Sequence, residues 1–157
     1  MAEKTAALGR KVADFTLPST GGKPWRLSEA RGRALVIYFY PKDNTSGCTS
    51  ESVAFGDLHD AFHKAKSVVV GVSPDSLASH DKFKAKYGLP FELLSDEEKK
   101  ACALFGVWKE KSMYGRKYMG VERSTFLIDG EGVLRREWRK VKVNGHAEEV
   151  FAAVRDL

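Results

Sequence analysis

Residues 34–40 are apolar or aromatic throughout, as expected of a strand covered on both faces, and residues 67–72 repeat the pattern. Between them Phe55, Leu58 and Phe62, backed by Ala54, Ala61 and Ala65, recur at helical spacing and predict one amphipathic helix reaching about Lys66. Residues 12–17 and 24–27, separated by Ser19-Thr20-Gly21-Gly22, read as a small hairpin ahead of the main fold. Ser73-Pro74 opens a helix that stops at Gly88, residues 91–94 read as a short strand, and Ser95-Asp96-Glu97-Glu98 reads as a capping box for a helix carrying Cys102. Residues 123–128 and 133–138, joined across Asp129-Gly130-Glu131-Gly132, predict a second hairpin, and residues 145–157 a closing helix. Alternating strands and helices followed by a hairpin and a helix give an α/β architecture, a central mixed sheet sandwiched by helices, within one domain spanning residues 1–157.

The run Pro41-Lys42-Asp43-Asn44-Thr45-Ser46-Gly47-Cys48 follows the first buried strand and opens the long helix. In open α/β sheets the crevice beyond the strand ends is where ligands bind. A cysteine in a first helical turn faces unpaired N–H groups and the positive end of the macrodipole, which favour thiolate over thiol. Pro41 supplies a rigid shoulder that can shield the sulfur, and Thr45 a hydroxyl that can donate to a bound oxygen. With the N–H groups of Gly47 and Cys48, such a site can hold an O–O bond in line with the sulfur.

Charge and composition narrow the alternatives. The net charge of +5 draws notice to Arg135-Arg136-Glu137-Trp138-Arg139-Lys140, but the apolar residues punctuating it describe a strand with one wet face, so no nucleic-acid partner is expected. Cys48 and Cys102 lie far apart and form neither C-x-x-C nor a disulfide framework, which fits a reducing, cytoplasmic setting. The N-terminal stretch lacks a leader's apolar core, and no segment is long and apolar enough for a membrane span. His59-Asp60-Ala61-Phe62-His63 approaches the H-E-x-x-H zinc pattern without a compelling third ligand, and Gly21-Gly22-Lys23 lacks the spacing of a phosphate loop. Neither a metal nor a cofactor is expected.

Residues 38–45 with Gly47-Cys48-Thr49, then Leu94-Ser95-Asp96, Phe105-Gly106-Val107-Trp108, Glu110-Lys111 and residues 123–128, resemble the bacterioferritin comigratory protein or peroxiredoxin Q branch of the peroxiredoxins from end to end. The resemblance implies a thioredoxin-like fold and a thiol-dependent peroxidase acting on hydrogen peroxide and organic hydroperoxides. It implies that Cys48 is the peroxidatic cysteine, that Thr45 and Arg123 complete the peroxide site, that Pro41 shields it, and that Glu51 orients the arginine. Arg123 is singled out by this resemblance alone. Where many members carry a resolving cysteine this chain has Val53 or, on the following helix, Lys84. A 1-Cys cycle is therefore expected, with thioredoxin, glutaredoxin or a small thiol as reductant and a monomer or weak homodimer as the working form. A redox sensor or holdase using the same cysteine is the alternative, and Cys102 is read as core packing.

Overall fold

The computed structural model describes residues 5–157; residues 1–4, where the leader reading begins, lie outside the described residues. In chain order the elements are β1 (Thr16–Leu17), β2 (Trp25–Arg26), a 3-10 turn (Leu27–Ala30), β3 (Ala34–Phe39), α1 (Ser46–Asp57), α2 (His59–Lys64), β4 (Ser67–Ser73), α3 (Leu77–Tyr87) and β5 (Glu92–Ser95). There follow α4 (Lys100–Leu104), β6 (Trp108–Met113), β7 (Arg116–Val121), β8 (Ser124–Ile128), β9 (Leu134–Trp138) and α5 (His146–Arg155).

Five strands form the expected mixed sheet in the order β5-β4-β3-β8-β9. Strands β3, β4 and β5 run parallel, joined through helices, while β8 and β9 add an antiparallel hairpin beside β3. Side chains alternate across β3. Leu35, Ile37 and Phe39 pack with Phe105, Phe126 and Cys102 on one face, whereas Val36, Tyr38 and Tyr40 pack with Phe55, Phe62, Phe83 and Val150 on the other. The second face is covered by α1, α2, α3 and α5, and the first by α4 and the N-terminal segment.

One register pair fixes the position of α1. Tyr38 lies opposite Gly71, where an added Cβ would sit 2.7 Å from the Tyr38 ring, so glycine is required for the ring to lie flat over β4. The ring then stacks on Phe55 at 4.7 Å, and its hydroxyl and that of Ser52 share a 2.8 Å hydrogen bond. Both partners belong to α1, which is thereby held over the centre of the sheet.

Several sequence boundaries shift. The long helix breaks at Leu58 into α1 and α2. The first hairpin is reduced to two pairs, because Lys11 and Val12 bond instead to residues 132 and 133. Helix α3 begins at Leu77, with the Ser76 side chain accepting from Ser79 N–H, because Ser73 and Asp75 form a side-chain-bonded turn before it. The capping box does not form: Ser95 belongs to β5, and the Asp96 carboxylate accepts from the N–H groups of Ala101 and Cys102. Strands β6 and β7 form a hairpin outside the main sheet that the hydrophobic pattern does not announce.

Candidate active site

Cys48 is the third residue of α1, and the first bond of that helix runs from Thr49 N–H to the Thr45 carbonyl. The N–H groups of Gly47 and Cys48 precede it and carry the unshared positive end of the helix. Cys48 is 1 % exposed. Arg123, immediately before β8, reaches its sulfur with Nη2 at 3.2 Å while Nη1 donates to Glu51 Oε1 at 2.7 Å. One guanidinium therefore bridges sulfur and carboxylate through two separate nitrogens, a geometry a lysine cannot copy. Gly47 makes room for it, since a Cβ there would stand 3.2 Å from Nη2.

Glu51 lies one helical turn beyond Cys48, nearly fully buried, with Oε2 lacking any partner. Burial pushes its carboxyl up to about 7, against the opposing pull of Arg123. Burial works against the Arg123 charge, but Glu51 and Cys48 outweigh it and hold the guanidinium above its ordinary value. Pro41 follows β3 and Tyr40, half-buried at the sheet edge of the loop. The Thr45 hydroxyl donates to the Lys42 carbonyl at 2.9 Å, so its oxygen lone pairs remain to receive a proton from a ligand and its own proton is held by the loop.

The loop is clasped from α3. Asp43 accepts from the Tyr40 hydroxyl at 2.6 Å, Ser79 Oγ at 2.8 Å and His80 Nδ1 at 2.7 Å, and its own N–H donates to Asp75 at 2.7 Å. His80 Nε2 meets the Leu94 carbonyl at 2.9 Å. Asn44, at φ 61, accepts from Lys86 and Tyr87. Asp43, Asp75 and His80 form the metal-competent grouping among the described residues, yet these internal bonds already engage their donor atoms, and the arrangement works as a clasp for the cysteine loop. Sequence inspection missed it because Asp43 lies more than thirty residues before Asp75 and His80.

Two further groups within electrostatic reach of Arg123 were not expected. Lys111 on β6 is half-buried, with its stem crossing Gly120, within electrostatic reach of Arg123, Cys48 and Glu122. Burial, then Arg123, lowers its affinity for a proton. His146, buried at the start of α5, shares a 2.8 Å bond with Thr125 Oγ1, and burial lowers its pKa.

Other cysteine, arginine and histidine side chains fall elsewhere. Cys102 sits on the opposite face of the sheet, wholly buried, its thiol pushed up by burial and then by Asp96. Arg139 holds the Phe105 and Gly106 carbonyls, and Arg116 is exposed at the hairpin end. His59 and His63 stack on one side of α2 with no third ligand grouped beside them among the described residues.

Known proteins resemble the chain over most of its length. The sequence model of the AhpC/TSA family matches residues 8–137. The chain is 49% identical over 153 residues to Peroxiredoxin Bcp of Bacillus subtilis (strain 168), covering 98% of each chain. It is 38% identical over 137 residues to Peroxiredoxin Bcp of Escherichia coli (strain K12), covering 87% of this chain and 88% of the relative. Among solved structures it resembles the Xanthomonas campestris bacterioferritin comigratory protein, described for its alkyl peroxide reduction activity, with a TM-score of 0.87, 48% identity and 90% of each chain covered.

Proposed function

Because the chain belongs to the AhpC/TSA family and, within it, to the Bcp and peroxiredoxin Q group of thiol peroxidases, we propose that Cys48 is its peroxidatic cysteine and that hydrogen peroxide and alkyl hydroperoxides are its substrates. The observation that carries this reading is the Arg123 fork, 3.2 Å from the sulfur and anchored on Glu51. The Cys48 thiolate attacks the terminal peroxide oxygen, the O–O bond breaks, and water or an alcohol leaves after taking up a proton, with sulfenic acid left on the sulfur. Arg123 and the N–H groups of Gly47 and Cys48 face the position where negative charge develops, and Thr45 lies at the same loop.

We assign the chain a 1-Cys cycle completed by an external thiol. Supporting this are the placement of Cys102 across the sheet from Cys48, and Lys84 on α3, which pairs with Glu92 at 3.0 Å. Thioredoxin, glutaredoxin or a small thiol is the reductant we propose, with a monomer or weak homodimer in the cytoplasm as the working form of this one-domain chain. One equivalent of peroxide, added without thiol, should give a mass gain of one oxygen on Cys48, trappable by a sulfenic-acid reagent, and excess peroxide should carry it to sulfinic acid. A dominant disulfide between Cys48 and Cys102 within one chain would overturn the 1-Cys cycle, since it needs the two Cα atoms within about 7 Å.

A further inference from the structure

Six large apolar side chains stand well exposed among the described residues, and four share the β6–β7 hairpin: Met113 at 56%, Tyr114 at 98%, Tyr118 at 43% and Met119 at 50%. The other two, Leu8 and Leu157, lie near the chain ends. Burial does not explain the hairpin residues. Nor does the turn explain Tyr114, which takes φ 52 beside Gly115 at φ 77, a conformation that glycine or asparagine adopts with less strain. An aromatic held in a strained turn and given wholly to solvent contributes little to folding, and tyrosine and methionine are enriched where proteins meet.

The hairpin is also basic, with Lys109, Lys111, Arg116 and Lys117 against Glu110. Pairing of Lys111 with Tyr118 and of Met113 with Arg116 places all four on one face, because opposed residues and those two apart share a side of a β-ribbon. That face leads to the sulfur. Lys111 is within electrostatic reach of Cys48, and the hairpin base, tied by the Glu122 N–H to the Val107 carbonyl at 2.8 Å, runs directly into Arg123.

We propose that this face docks the reductant: a dithiol protein whose surface is acidic around its reactive thiol. The inference rests on the 1-Cys reading, in which every turnover brings an outside thiol to Cys48. The partner thiol attacks the sulfenic sulfur, releasing water and forming a mixed disulfide. Its second thiol then displaces Cys48, which regains its thiol while the partner leaves as a disulfide, oxidised by two electrons. A small thiol has no use for an apolar surface beyond the sulfur. A second copy of the chain would set one cationic face against another, whereas an acidic partner is steered to it.

The test compares two readouts in two variants, Met113→Ser with Tyr114→Ser, and Lys109→Glu with Arg116→Glu. With a thioredoxin of acidic isoelectric point, recycled by its reductase and NADPH, kcat/KM for thioredoxin should fall at least tenfold in each variant, and the parental value should fall steeply with salt. Turnover supported by dithiothreitol, and the rate at which the first equivalent of peroxide oxidises Cys48, should stay within twofold of the parent, showing that the variants fold. A thioredoxin kcat/KM within twofold of the parent overturns the proposal. It is equally overturned if the parent turns over with dithiothreitol but with neither thioredoxin nor glutaredoxin. Hairpin-dependent binding to phosphatidylglycerol vesicles, or a dimer lost in the first variant, with the thioredoxin constant unchanged, would reassign the face to lipid or to self-association and overturn it too. Failure of stoichiometric peroxide to oxidise Cys48 in the parent would instead remove the peroxidatic reading beneath it.

Discussion

Cys48 and Cys102 occupy the same place in two different helices, each the third residue, and are equally hidden, at 1 % and 0 % exposure. Their neighbours are opposite in sign. The start of α1 is left open and faces the Arg123 guanidinium, whereas the start of α4 is closed by Asp96, whose carboxylate accepts from Ala101 and Cys102 N–H groups and opposes ionisation of the thiol beside it. A helix N-terminus therefore does not make a cysteine reactive by itself. What matters is whether its N–H groups remain unclaimed and whether a cation stands across from the sulfur.

The strongest way to break this contrast is to remove each sulfur in turn. Cys48→Ser should abolish peroxide consumption, while Cys102→Ser should retain most of it and lower stability by about 1–2 kcal/mol for placing a hydroxyl in an apolar site. Single-turnover peroxide reduction and urea denaturation of both variants measure the two effects. Comparable loss of peroxide reduction in both would mean that the environment of Cys102 has been misjudged.

The next largest effect belongs to the cation. Arg123→Ala should slow oxidation of Cys48 by about 10²–10³-fold, the usual scale for losing a preorganised donor to a developing charge. Arg123→Lys should recover little of it, because one ammonium cannot address Sγ and Glu51 Oε1 together as the two nitrogens of the fork do. Stopped-flow measurement of the second-order rate with peroxide checks both variants, and a parental rate in Arg123→Ala would remove the fork from the mechanism.

The sequence made some of this readable and hid the rest for identifiable reasons. Strands β3 and β4 showed themselves as unbroken apolar runs because helices or chain cover both of their faces. The loop from Pro41 to Cys48 was legible as a strand-to-helix turn, which already placed the sulfur at a helix start. Arg123 needed family resemblance, since the bond it makes to Cys48 spans 75 residues and no periodicity encodes it. The β6–β7 hairpin escaped notice because its residues are mostly exposed on both faces, leaving no alternation to detect. The start of the Cys102 helix was misread: the sequence put its cap at Ser95, which is held in β5 by its pairing with Ser73, and the Asp96 carboxylate takes the Ala101 and Cys102 N–H groups instead.

The smallest expected effect sharpens the same contrast through pH. Glu51 is the acid on the Cys48 side, but unlike Asp96 it is joined to the sulfur through a cation, and burial raises it from 4.5 to about 7. Between those values the folded protein holds a proton that the unfolded chain has released, so Glu51's contribution to stability is full below 4.5 and is lost as pH rises through about 7. The loss amounts to about 3 kcal/mol at most by linkage, and Glu51→Gln, which cannot ionise, should not show it. Activity should run the other way. As pH falls through about 7 the carboxylate that anchors Nη1 of Arg123 is neutralised, so the parental oxidation rate should decline more steeply than that of Glu51→Gln, itself several-fold slower at pH 8. Urea denaturation and peroxide stopped-flow from pH 5 to 8.5, on both proteins, measure the two slopes. Parallel profiles in the two proteins would show that Glu51 does not titrate in this range and that its carboxylate holds Arg123 at every pH tested.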